Sequence, residues 1–297
     1  MNLCHNKRGM IFAVAHPRHK EFKELTFQYL VKHDVSPVNI HVFTIASMAD
    51  KFKALGVHVH VIEGDSICDG PFKGGMHMGS IRSQISRTFE EGAQIVELDD
   101  NINTIHFRKK PLSDFKKHLN DSFGLLKGTN RIFAMNPGAL AGSSWVGSED
   151  VQGLHNAYNG CVGWLNIHLN LVLPIREDLD RVMSLHNKGY SVLRRRAYQV
   201  IVTDISCWYT HLGYDENVHE SLGKHIQQLI VQTHPTIFIR QTNGWGGYGF
   251  RSSAAVSGKA RKKSTKSKKT QKLTRAKSCP GLKRSHHKKK TGAELAL

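Results

Sequence analysis

Three clusters in this sequence hold residue types that can do chemistry together. The first is Asp99 and Asp100, which follow a stretch at residues 93–98 that reads as a strand and precede Asn101. Two adjacent carboxylates leaving a buried strand are hard oxygen ligands, able to bridge a divalent cation to a phosphate. An acidic pair is also a common way for a strand to enter a loop. The second cluster is Lys73, Gly74, Gly75 and Gly79, followed by Arg82. Glycines ahead of a helix N-terminus let backbone N–H groups approach a phosphate, with Lys73 or Arg82 as countercharge; the plain alternative is a flexible loop, and the spacing is not that of a Walker sequence. The third is Glu177, Asp178 and Asp180, behind Arg176, opening a helix that closes at Lys188 and Gly189. Acids in a first helical turn and a glycine past the end are what capping and the helix dipole favour on their own.

The elements that must position these clusters alternate between strand and helix. Residues 10–15 form a continuous apolar run stopped at Pro17, which suits a strand buried on both faces. Phe22, Leu25, Tyr29 and Leu30 recur at helical spacing, residues 38–45 and 57–62 read as strands, 79–91 as a helix and 93–98 as a strand. Strand, helix, strand predicts an open, mostly parallel α/β sheet of Rossmann-like type with flanking helices, whose ligands sit at the carboxyl ends of the strands. Those ends carry Arg18, Glu63 with Asp65, and Asp99 with Asp100. Further on, 132–135 and part of 160–172 read as strands and 177–189 as a helix, and the pattern beyond Gln199 is mixed.

Taken together, the proline-arginine exit from the first strand, the glycine-rich lead to Arg82, the Leu98-Asp99-Asp100 strand end and the later Glu177-Asp178 helix opening resemble the GT-A fold nucleotide-sugar glycosyltransferases. Residues 95–102, 176–190 and the sequence Thr233, His234, Pro235 look most like the TET/JBP-associated, base J glucosyltransferase-like group. The resemblance covers residues 10–240 and implies a GT-A fold and sugar transfer from a nucleotide-sugar, a UDP-sugar before others, to a hydroxyl. It also implies roles: Asp99 and Asp100 holding Mn²⁺ or Mg²⁺, His234 as a late metal ligand, Arg18, Lys73, Arg82 and Asp99 around the nucleotide and diphosphate, and Glu177 or Asp178 as general base. Glu97 ahead of Asp99 departs from a plain Asp-x-Asp spacing, which leaves the primary ligand open.

Charge divides the chain of 297 residues. Residues 251–297 carry 16 of the 42 Lys and Arg and a single acid, Glu294, so the first 250 residues hold 26 basic against 23 acidic side chains. The expected organisation is a domain at 1–250 and a disordered Lys/Arg-rich tail at 251–297, too poor in aliphatic residues to offset its ordering entropy. Such a polycation suits phosphate contacts with nucleic acid, DNA rather than RNA as partner, and the Lys/Arg runs at 261–263 and 288–290 suit nuclear import. A hydroxymethylated base would then be the acceptor, flipped out of its duplex or single-stranded. Five scattered cysteines without a Cys-x-x-Cys pair, no signal segment and no apolar span point to an intracellular, unsecreted protein. Nineteen histidines include no zincin spacing; His58 and His60 simply share a strand face. Two other classes stay open: a nucleotidyltransferase on the same sheet, and a non-catalytic GT-A-like module that binds nucleic acid.

Overall fold

Bulky and small apolar residues alternate along the first strand, β1 (Ile11–Ala15). Phe12 and Val14 pack on one side of it and Ala13 and Ala15 on the other. A strand buried on both faces needs helices over both, and the chain supplies them. In the computed structural model of the protein, the described residues are 9–15, 18–62, 78–137, 147, 149–153, 160–171, 173, 177–203, 232, 234, 237–241 and 248–252. After β1, helix α1 (His19–Glu21) runs through a π-helical turn (Phe22–Thr26) into α2 (Phe27–Lys32). There follow β2 (Ile40–Thr44), α3 (Ala46–Lys53), β3 (His58–Val61), α4 (Met78–Thr88), β4 (Gln94–Leu98), β5 (Ile102–Phe107), β6 (Lys110–Pro111), α5 (Phe115–Gly124), β7 (Asn130–Pro137), β8 (Val151–Gly153), β9 (Cys161–Leu165), α6 (Glu177–Asn187) and β10 (Ser191–Val202). A separate hairpin pairs β11 (Ile237–Gln241) with β12 (Tyr248–Ser252).

The main sheet has the order β3-β2-β1-β4-β9-β7-β10-β5-β6, with β8 also on β10. The first four are mutually parallel. β9 runs antiparallel between β4 and β7, while β10 is parallel to β7 and antiparallel to β5. The α/β sheet with flanking helices expected from the sequence is therefore present, and strands β1 to β4, β7 and β10 share one direction. Register shifts near Arg195 interrupt the β7 pairing of β10. Such an irregularity bends a strand, and the far half of β10 then meets β5, the strand that follows Asp99 and Asp100.

One face of the sheet packs Phe22, Tyr29 and Leu30, Phe52 of α3 and Phe115 of α5. The other packs Met78, Ile81 and Ile85 of α4 with Val182 and Leu185 of α6. On β9, Gly163 is required by close approach: a Cβ there would stand 2.1 Å from the Phe133 ring. Among the described residues no helix is long and apolar enough to cross a membrane.

At the outer strands, His41 lies opposite His58, and its Nδ1 is 2.9 Å from His60 Nε2. Burial, with the neighbouring His60 and His58, lowers His41 to about 4; burial and His58 lower His60 as well. Between these values and the ordinary 6.5 the unfolded chain binds protons that the folded protein does not. Stability from this pair is complete above about pH 6.5 and is lost as pH falls toward 4. The urea midpoint of the wild type should drop across that window more steeply than that of His41→Gln. Parallel curves would show that the pair does not titrate with folding.

Candidate functional site

β1 and β4 are adjacent and parallel, so their carboxyl ends lie side by side. From β1 the chain leaves through the helices on one face toward β2, whereas β4 is reached from α4 on the opposite face. The gap between the two exits is the topological switch point, where open α/β sheets bind ligands. Arg18 stands on one side of it and Asp99 and Asp100 on the other. The Arg18 backbone N–H donates to Asp100 Oδ2 at 2.7 Å, its Nε to Oδ2 at 3.0 Å and its Nη2 to Oδ1 at 3.0 Å.

Thr26, in the π-helical turn, closes the acidic turn from behind. Its hydroxyl donates to the Asp99 carbonyl at 2.7 Å and accepts from the Ile102 N–H at 2.9 Å. Both hydrogen-bonding capacities of a buried hydroxyl thereby fix the path from β4 to β5. Nothing in the local pattern marks this threonine, because its partners lie more than 70 residues away in the chain.

The two-residue strand period turns Glu97 toward the same face as Ile95, under α4 and α6. There it accepts a short hydrogen bond from Arg82 Nη1, and one from Arg181 Nη2 at 2.7 Å. Arg82 Nε also donates to Glu177 Oε1 at 3.1 Å. All four side chains are almost wholly buried, and the Arg181 guanidinium lies over the Trp164 ring. Glu97 thus departs from an Asp-x-Asp spacing because it serves as a core counter-ion. Arg82, expected at the diphosphate, is instead held between two carboxylates and joins the β4 exit to the start of α6. Arg181 was missed by sequence reasoning; the available signal was an arginine among Leu179, Val182, Met183 and Leu185 on a helix with no exposed face at that turn.

Glu97, Asp99, Asp100 and Glu177 set four carboxylates against the guanidiniums of Arg18, Arg82 and Arg181. Asp99 bears the surplus. Burial and the charges of Asp100, Glu177 and Glu97 push its carboxyl up to about 7 against the pull of Arg82. A divalent cation would relieve this imbalance. Among the described residues no group of three or more His, Cys, Asp or Glu is arranged to hold a metal ion. Two carboxylates completed by phosphate oxygens and water are the way Mg²⁺ is bound beside a nucleotide; Asp99 and Asp100 have that chemistry, with both Asp100 oxygens held by Arg18.

Glu177 and Asp178 are both buried in the first turn of α6, and Asp180 below them is tied off. Its Oδ2 accepts the Leu173 N–H at 2.9 Å, and its Oδ1 lies 2.9 Å from His234 Nε2. His234 Nδ1 is 2.9 Å from Asn187 Nδ2. Expected as a late metal ligand, His234 is placed by the structure against α6 with both ring nitrogens engaged. Gly189 has φ +80°, the left-handed conformation that ends a helix. Lys73, the glycines beside it, residues 63–65, Arg176, Thr233, Pro235 and residues 253–297 lie outside the described residues, while the first two residues expected in the tail, Arg251 and Ser252, end β12.

No protein-family model matches the sequence, and no curated protein does. Solved structures that superpose on the chain include residues 1–349 of S. aureus TarS in complex with UDP-GlcNAc, with 12% identity over 75% of this chain and 67% of that one and a TM-score of 0.48. The mannosyltransferase PcManGT from Pyrobaculum calidifontis, in complex with GDP-Man and Mn²⁺, gives 8% identity over 68% and 59% with a TM-score of 0.45. A putative glucose-1-phosphate thymidylyltransferase from Bacillus anthracis gives 8% over 63% and 86% with a TM-score of 0.38. At these values the superpositions decide nothing about chemistry, which rests on the residues of the site.

Proposed function

We propose that the chain is a metal-dependent glycosyltransferase, moving a sugar from a nucleotide-sugar to a hydroxyl acceptor in the crevice between β1 and β4. One observation carries this reading: Glu97 and Glu177, far apart in the chain, are joined through Arg82 beside Asp99 and Asp100, so that these four carboxylates face only the three guanidiniums of Arg18, Arg82 and Arg181. Asp99 and Asp100 would hold Mn²⁺ or Mg²⁺, which when bound neutralises the departing nucleoside diphosphate. Arg18 stands beside them as a further positive charge on the diphosphate side. A carboxylate at the start of α6 takes the proton of the acceptor hydroxyl as its oxygen bonds to the anomeric carbon and the sugar–phosphate bond breaks.

The test is thermal stabilisation by UDP- and GDP-sugars with and without Mn²⁺, because a ligand that binds only the folded state raises the melting temperature. A Mn²⁺-dependent shift in the wild type that Asp99→Asn lacks is expected; no shift with any nucleotide-sugar would overturn the reading. Release of pyrophosphate, rather than a nucleoside diphosphate, during turnover would identify a nucleotidyltransferase.

For the acceptor we propose a hydroxyl on a nucleic-acid base, with the protein acting in the nucleus. The Lys/Arg excess of residues 251–297 supports this. Truncation after Ser252, which leaves β12 whole, should weaken duplex DNA binding and flatten the slope of log K against log salt, since about one counterion is released per phosphate contacted. An unchanged slope would remove nucleic acid from the proposal.

A further inference from the structure

We propose that Arg18 is an internal counter-cation that competes with a divalent metal ion for Asp100, so that the ion reaches this carboxylate only when Arg18 releases it. The inference rests on the reading of Asp99 and Asp100 as the cation's carboxylates, and adds an order of events to it.

The hydrogen bonds to Asp100 carry the argument. Three bonds from one residue occupy both of its oxygens, out of about four lone-pair positions that a carboxylate offers. The Asp100 side chain is 0% exposed, whereas that of Arg18 is 14% exposed. The carboxylate therefore has no solvent contact of its own, and the guanidinium bonded to it does. A cation on either oxygen would stand a few ångströms from the guanidinium, where two positive charges repel strongly in a partly buried site. The two cannot share Asp100 without large cost.

Release is also provided for. The Arg18 N–H donates to Oδ2 independently of the side chain, so the backbone stays anchored while the guanidinium leaves. Glu21, one helical turn on, has Oε1 3.9 Å from Arg18 Nη1 and a side chain 33% exposed. It offers the released guanidinium a second carboxylate toward solvent. Asp99, which is partly exposed, is the first contact for the incoming ion, and Asp100 the second once Arg18 has moved. The freed guanidinium is then available to a diphosphate, which couples ion binding to donor binding.

The experiment measures Mn²⁺ binding to the full chain without nucleotide, by the electron paramagnetic resonance signal of free Mn²⁺. Arg18→Gln should bind Mn²⁺ about tenfold more tightly than wild type or better, the value of losing one charge-assisted competitor. Arg18→Lys, which keeps the charge but not the fork, should fall between them. Asp100→Asn should bind more weakly than wild type, and adding Arg18→Gln to it should restore nothing. Unchanged or weaker binding by Arg18→Gln, with Asp100→Asn still impaired, overturns the competition and leaves the cation site standing. Wild-type binding by Asp100→Asn overturns both. Should Arg18→Gln not fold, an arginine-specific dicarbonyl reagent on the wild type gives the answer: modification of Arg18 should quicken when Mn²⁺ is added, and an unchanged or slower rate rejects the release.

Discussion

Glu97→Gln is expected to cost about 3–5 kcal/mol in urea unfolding, the range for breaking a buried ion pair and leaving its partners uncompensated. The substitution keeps the shape of the side chain, so no cavity contributes. Arg181 loses the carboxylate that its Nη2 contacts, and Arg82 keeps only Glu177. Against the 5–15 kcal/mol typical of a whole domain, this is a large fraction. Burial alone would raise the Glu97 carboxyl, but Arg181 and Arg82 outweigh it and hold the group below its ordinary 4.5. Its stabilisation is therefore present above that value and lost as pH falls through the lower folded one. The wild type and Glu97→Gln should differ most at neutral pH and converge in acid. Combining Glu97→Leu with Arg181→Met should recover part of the loss, because a buried pair replaced by apolar residues leaves no orphaned charge. A neutral-pH loss below about 1 kcal/mol, the level of an exposed pair, would show that solvent reaches the knot.

Asp178→Asn should lower kcat by about 10² to 10⁴, the usual contribution of a general base, with nucleotide-sugar affinity nearly unchanged. Glu177→Gln should act differently. Its carboxylate is bound to Arg82 at 3.1 Å, so its loss should appear first in stability and in the placing of α6 beside Asp99. Measuring kcat, donor affinity and urea midpoint for both variants separates the two roles. Full turnover by Asp178→Asn together with a collapse of turnover by a stable Glu177→Gln would transfer the base to Glu177, and full turnover by both would leave the turn a purely structural helix start.

Local pattern made the first half of the fold legible. The apolar run of β1, the strands β2, β3 and β4 and the helices α4 and α6 stand where periodicity places them, within a few residues at their ends. All of these except the edge strand β3 are buried on one or both faces, and burial writes itself into spacing. β10 shows where that link fails. Its Arg194, Arg195 and Arg196 interrupt any apolar alternation, yet it is the longest strand of the sheet, because Arg195 finds Asp150 at 2.8 Å and Ser122 within hydrogen-bond reach. A charged residue is tolerated in a central strand only when distant segments bring partners, and those partners cannot be read from its neighbours.

The same division runs through the site. Which residues could act, Arg18, Arg82, Asp99, Asp100, Glu177 and Asp178, was readable from residue type and from position at the ends of strands and helices, since local geometry places such ends at a sheet's carboxyl edge. What each of them touches was decided by the tertiary structure alone. Folding turned Arg82 inward between Glu97 and Glu177, closed Arg18 over Asp100, set His234 against Asp180, and used Thr26 to hold the acidic turn. Charges and hydrogen bonds act through space over a few ångströms, and most of these pairs lie between 50 and 100 residues apart in the chain, so no local spacing carries the information about which of them meet.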